Sequence, residues 1–124
     1  MKICMITAYP PNRGGLAEYG WYMVDKFSKS AKIEDFVVLA NRSKTTSNIN
    51  RGKTKIIRCW RSDDITTPVR ILEEIRRIKP DVVYFNLHLL SWGKSKICNF
   101  FGHMTPLLVK FFTRSKVVIT LHNI

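Results

Sequence analysis

Four short runs in this sequence are apolar on both faces, and that limits the fold more than any other feature. They are Lys2–Ala8 (KICMITA), Asp35–Ala40 (DFVVLA), Asp81–Leu87 (DVVYFNL) and Lys116–Leu121 (KVVITL). Thr54–Cys59 (TKIIRC) is a weaker fifth. A strand with one wet face alternates apolar and polar residues. Runs that do not alternate belong between two covering layers, as in a parallel sheet with helices on both sides.

Helical patterns separate the runs. Over Gly14–Ser30 the residues Leu16, Tyr19, Gly20, Met23, Val24 and Phe27 recur at spacings of three and four. Thr67 has the chemistry of an N-cap and Pro68 suits the first helical position. Val69, Leu72, Ile75 and Ile78 then form a stripe that Pro80 should end. A third helix belongs within Ser91–Phe112, with limits blurred by Gly93, Gly102 and Pro106. The alternation predicts one α/β domain, a Rossmann-like doubly wound and mostly parallel sheet of about five strands with helices on both faces. The strand at 2–8 should be central. One link breaks the pattern: Asn41–Lys53 carries no helical periodicity, although a parallel crossover usually needs a helix. Either it crosses without one, or 54–59 is an edge strand of either direction.

Cys4, Cys59 and Cys98 are odd in number, without C-x-x-C spacing, and lie in or beside apolar runs, which fits a reducing, cytoplasmic compartment. The opening MKICMITAYPP lacks the apolar core and cleavage site of a signal peptide. The apolar stretch Ile97–Phe112 is interrupted by Asn99, His103, Pro106 and Lys110, so it should not span a membrane.

In open α/β sheets ligands sit beyond the carboxyl ends of the strands. After the first strand comes Tyr9-Pro10-Pro11-Asn12-Arg13-Gly14-Gly15, leading into a helix. Glycines let a ligand approach the backbone, and a helix N-terminus offers free N–H groups to an anion. The loop matches neither the dinucleotide fingerprint nor the phosphate-binding lysine loop, and an ordinary turn would look the same. Asn86-Leu87-His88 and His122-Asn123 follow two other strands. A histidine at a strand end is most often structural, but two at one rim can face one cleft. His88, His103 and His122 lack zinc-ligand spacing, so no metal is expected. Glu73 and Glu74 stand among Arg70, Arg76 and Arg77, where helical ion pairing explains them better than acid–base chemistry.

Three segments together resemble a known family. MKICMITAYPPNRGGLAEYGWYMVDKF is similar to the opening of family 4 glycosyltransferases, which have the two-domain GT-B fold. IKPDVVYFNLH resembles their next marker, a helix end followed by K-P-D and a strand closing on His. KVVITLHN resembles the third, a strand ending in T-L-H. The resemblance implies sugar transfer from a nucleotide-sugar to a glycan, lipid or other acceptor, with retention of configuration and no further cofactor. It implies that Gly14 and Gly15 approach the donor diphosphate and that His122 is catalytic. It puts Tyr9, Tyr19, Asn86, His88 and Asn123 at the acceptor-side cleft. The family's E-x7-E element and nucleotide-sugar domain are not found in these 124 residues. The expectation is therefore an incomplete N-terminal, acceptor-side domain, inactive alone and completed by a C-terminal domain in the same or a separate chain. The alternative is a non-catalytic Rossmann-like binding module with a basic surface.

The charge bears on partners. There are 21 Lys+Arg against 9 Asp+Glu, a formal net charge of +12, and Asn41–Arg61 is basic without one acidic residue. A solvated basic face is the plain reading. An anionic membrane surface is the second, placing the protein at the inner membrane face. Lys110, Arg114 and Lys116 beside Phe111 and Phe112 have the character of an interfacial helix end. Nucleic acid ranks last: the cations of 42–61 and Trp60 could contact phosphates and stack a base, but no nucleic-acid motif accompanies them. Apolar surface over Asn99–Phe112 is expected to be exposed.

Overall fold

The computed structural model describes residues 1–9, 15–42, 48–61, 63–88, 92–93 and 95–122, with the backbone alone at 15, 16, 49, 51, 88 and 122. In chain order the elements are β1 (Lys2–Thr7), α1 (Gly15–Ser28), β2 (Asp35–Asn41), β3 (Ile49–Arg51) and β4 (Thr54–Trp60). Then follow α2 (Thr67–Ile78), β5 (Val82–His88), α3 (Lys96–His103), α4 (Thr105–Phe112) and β6 (Lys116–His122). The strands form one sheet in the order β3-β4-β2-β1-β5-β6. β4, β2, β1, β5 and β6 are parallel to their neighbours, and only β3 runs antiparallel, against β4. The architecture is the expected Rossmann-like α/β fold, with β1 inside it.

The alternation along each strand explains why both faces had to be apolar. Cys4 and Ile6 of β1 join Val37, Leu39, Val83 and Phe85 in a core under α2 and α4. Ile3 and Met5 face the other way, into a core with Val24, Phe36 and Val38 under α1. Ile71 and Ile75 of α2 are completely buried in the first core. Truncating such a side chain to Ala costs about 2–5 kcal/mol.

The open link is resolved. β4 is parallel to β2 and is not the edge. The described part of the connection holds no helix and forms β3, which returns to β4 through a two-residue turn. Gly52 makes that turn at φ 57°, a left-handed conformation that suits glycine. Among the described residues, α1 is the helix packed on that side of the sheet.

Two local expectations change. Thr67 is not the N-cap but the first helical residue of α2, and its hydroxyl donates to the Arg61 carbonyl at 2.7 Å. The carboxylate of Asp64 instead accepts from the N–H and hydroxyl of Thr66, at 2.9 and 2.6 Å. Those bonds hold the Asp64 carboxyl below the usual carboxylate range. The far end behaves as expected: Lys79 turns left-handed at φ 54°, its N–H reaches the Ile75 carbonyl at 2.9 Å, and Pro80 follows.

The single third helix is in fact two, separated at Met104. Pro106 sits in the first turn of α4, where a missing N–H is harmless. Gly102 has a packing reason: a Cβ there would lie 2.2 Å from the Trp92 ring. Trp92, almost fully buried, meets Trp60 with ring centroids 5.2 Å apart.

Candidate functional site

Parallel pairing brings the C-terminal ends of β4, β2, β1, β5 and β6 to one rim. The chain leaves β1 toward α1 on one face, while β5 is followed by α3 and α4 on the other. The gap between β1 and β5 is therefore the topological switch point, where such sheets open a crevice.

Asn86 stands on β5 directly opposite Thr7 of β1. Its side chain is fully buried, and its Nδ2 donates to Thr7 Oγ1 at 3.0 Å. The Thr7 hydroxyl in turn donates to the Ala8 carbonyl at 2.9 Å. Helix α1 can lie close above this pair because it carries Gly20 there. A Cβ at Gly20 would come within 2.4 Å of the Ala8 carbonyl oxygen and 2.6 Å of Thr7 Oγ1.

His88 and His122 end neighbouring strands and are register partners, so their backbones reach the rim side by side. Below them the hydroxyls of Tyr84 and Thr120 are hydrogen-bonded between the same two strands. Gly15 opens α1, next to the rim. Gly14 and Asn123 lie outside the described residues.

Tyr9 and Tyr19 are placed differently. The Tyr9 backbone N–H donates to Asn41 Oδ1 at 2.9 Å, and the Arg58 guanidinium lies 5.8 Å from the Tyr9 ring centre. Its ring thus belongs to the β2–β4 side of the sheet rather than to the switch point. There it lines a groove of about 340 Å³ with Trp21, Asp25, Ser28, Lys53 and Ile56. This groove runs between α1 and the start of β4. Nothing in the sequence pattern signalled it, since Trp21 reads as one more helix residue. Tyr19 lies on the solvent side of α1, 39% exposed.

A second feature of the rim also escaped the sequence. Asp63, at φ 57°, latches the segment after β4 to the segment after β5. Its N–H donates to the Trp92 carbonyl at 2.7 Å, and its carboxylate accepts the Ser95 N–H at 2.8 Å. Gly93, at φ 120°, lies so close to Asp63 that a Cβ would be 2.2 Å from its carboxylate. Gly93 is therefore a fitting piece of this latch, not merely a helix breaker.

The basic stretch 42–61 is partly spent on the fold. Lys53 Nζ donates to the carbonyls of Ser30 and Ile33, and Arg58 Nη1 donates to the Asn41 carbonyl at 2.9 Å. Trp60 is 2% exposed, with its indole N–H on the Leu39 carbonyl at 2.9 Å. The idea that Trp60 stacks a nucleic-acid base is thereby corrected: the ring is a core residue. Glu74 pairs with Arg77 one turn along α2, the structural role expected of it.

Among the described residues no group of three or more His, Cys, Asp or Glu side chains is arranged to hold a metal ion. Nor is any helix among them long and apolar enough to cross a membrane. No protein-family model matches this chain, and no curated protein matches it in sequence.

Proposed function

We propose that this chain forms the acceptor-side part of a retaining glycosyltransferase that takes its sugar from a nucleotide-sugar. The observation that carries the reading is the in-register arrival of His88 and His122 at the rim of neighbouring parallel strands, beside the switch point. The ordered motifs Y-P-P-x-x-G-G, K-P-D…N-L-H and T-L-H-N, which resemble family 4 glycosyltransferases, add to it.

The chemistry suits these parts. As the glycosidic bond to the diphosphate breaks, negative charge grows on the leaving oxygen. Donors already aimed at that oxygen stabilise the transition state more than the ground state. The backbone N–H of Gly15, which opens α1, has the right polarity for the diphosphate, and the resemblance assigns Gly14 the same part. His122 donates toward the developing charge. His88 and Asn123 frame the acceptor, a glycan or lipid hydroxyl that forms the new bond on the same face of the sugar, while Tyr9 and Tyr19, which the fold sets away from the switch point, take no part. Buried Asn86 acts from below, by tying β5 to β1. The nucleotide-binding surface comes from a second domain, in this chain or another, and no metal takes part. Three free cysteines without paired spacing suit a reducing, cytoplasmic compartment.

The test is transfer of labelled sugar by the chain alone, by the chain supplied with a nucleotide-sugar domain in cis or in trans, and by the His122→Ala form of that pair. Expected are no turnover alone, turnover on reconstitution, and a loss in kcat on the order of 10²–10³-fold for His122→Ala, the range for removing one such donor. Robust turnover by the chain alone removes the need for a partner domain. An unimpaired His122→Ala enzyme removes the role given to that residue.

A further inference from the structure

Helices α3 and α4 present their apolar side to water. On α3 and at its C-cap, Ile97, Phe100, Phe101 and Met104 recur at i, i+3, i+4 and i+7, the spacing of a single helix face. That face should be buried, yet all four are exposed, Phe100 by 64%. On α4, Leu107 and Phe111 extend the apolar surface, Phe111 by 75%. The buried positions of the two helices are the small or short ones, Gly102, Thr105, Pro106 and Val109. The exposure anticipated for this segment is present on both helices.

The charge around it decides what covers it. No acidic residue follows Asp81, while Lys96, Lys110, Arg114 and Lys116 are all exposed on or beside these helices. Where α4 ends, a cavity of about 580 Å³ opens between the C-terminal ends of α2 and α4. Phe112 lies on its wall beside the cations Arg76, Lys79 and Arg114. Asp81 also lines it, with a carboxylate oxygen taken by the Lys2 backbone N–H at 2.8 Å. Guanidinium and ammonium groups around a cavity next to an exposed ring suit a phosphodiester headgroup above acyl chains. A second copy of this face would set like charges against each other.

We propose that α3 and α4 dock on an anionic lipid bilayer. The stripe from Ile97 to Phe111 enters the headgroup–acyl boundary, and lipid phosphates sit at the Arg76, Lys79 and Arg114 cavity. This inference does not depend on the sugar-transfer reading.

The test is flotation of the 124-residue chain with vesicles of phosphatidylcholine alone or mixed with phosphatidylglycerol, at low and raised salt. Expected is binding to the mixed vesicles that weakens with salt. Phe100→Ser and Phe111→Ser should each lower it on the order of tenfold. Lys110→Ala and Arg114→Ala should each lower it about fivefold. All four side chains are exposed, so circular dichroism should report an unchanged fold. If a Phe variant fails to fold, Ile97→Ser with Lys110→Ala replaces it. Three results overturn the proposal. One is equal binding to neutral vesicles. Another is complete release by inorganic phosphate with normal binding by the Phe variants, the mark of a soluble-anion site. The last is a dimer that the Phe variants dissolve, with no vesicle binding by either form.

Discussion

The side-chain amide of Asn86 donates to the hydroxyl of Thr7 at 3.0 Å, between the two strands that flank the switch point. Both residues are fully buried. The bond joins β1 to the far half of the sheet where a ligand crevice opens, so it fixes the rim without touching solvent. Thr7→Val keeps the shape and removes the acceptor. Leaving a buried donor in want of a partner costs about 1–3 kcal/mol. A urea midpoint unchanged from the parent would show that Asn86 finds another acceptor.

Gly20 and Gly52 predict opposite kinds of damage. Alanine at Gly20 would collide with backbone, the Ala8 carbonyl, and with the Thr7 hydroxyl. Helix α1 would have to move away from β1, at about 1–3 kcal/mol and with disturbance of the Asn86–Thr7 pair. Alanine at Gly52 meets nothing within 4 Å and suffers only from its left-handed φ, about 1–2 kcal/mol. Thermal melts of the two variants compare the costs. A larger loss for Gly52→Ala would mean that α1 yields at Gly20 without cost.

The two core tryptophans differ by one hydrogen bond. The Trp60 indole N–H serves the Leu39 carbonyl, whereas the buried indole N–H of Trp92 has no acceptor among the described residues. Phenylalanine removes similar area from both sites. At 60 it also strands a buried carbonyl, so Trp60→Phe should cost more than Trp92→Phe by about 1 kcal/mol or more. Equal costs, from denaturant titration, would contradict this.

The buried thiols make the protein sensitive to alkali. Burial, then the neighbouring Glu74 carboxylate, pushes the Cys59 thiol up from 9.0 to about 12, and burial pushes Cys4 up as well. Unfolded thiols therefore lose their protons first as pH rises. The stability these thiols contribute is complete below about pH 8.5 and is lost as pH climbs toward the folded-state value. Between about pH 8 and about pH 10 the expected loss is about 1.5–2 kcal/mol for each thiol. Cys59→Ala should flatten that part of the profile. In the native protein at neutral pH, a thiol reagent should label the half-buried Cys98 and spare Cys4 and Cys59.

Strand type and covering layers were legible in the sequence because each is a local matter. Runs such as Asp35–Ala40 must be buried on both faces whatever the rest of the chain does, and a parallel sheet between helices is the simplest way to do it. The stop at Pro80 is equally local, since proline cannot continue the helix. What depended on distant partners was not legible. Thr67 has cap chemistry, but whether its hydroxyl turns to the helix or to the Arg61 carbonyl is set by where β4 ends. Trp60 among cations looks like a stacking surface until Trp92, 32 residues later in the chain, closes over it.

The candidate rim divides in the same way. The sequence put a glycine-bearing loop, Asn86, His88 and His122 near strand ends, because strand ends are read from periodicity, but β5 and β6 run on through His88 and His122, so Asn86 lies inside β5. Assembly of the sheet made β5 and β6 neighbours in register, which sets His88 beside His122. It also turned Tyr9 toward Arg58 and committed Asp63 to the Trp92–Ser95 segment. Register, strand order and latches between loops join residues far apart in the chain. Their energies come from packing and hydrogen bonds that exist only once the sheet has assembled, so no window of sequence contains them.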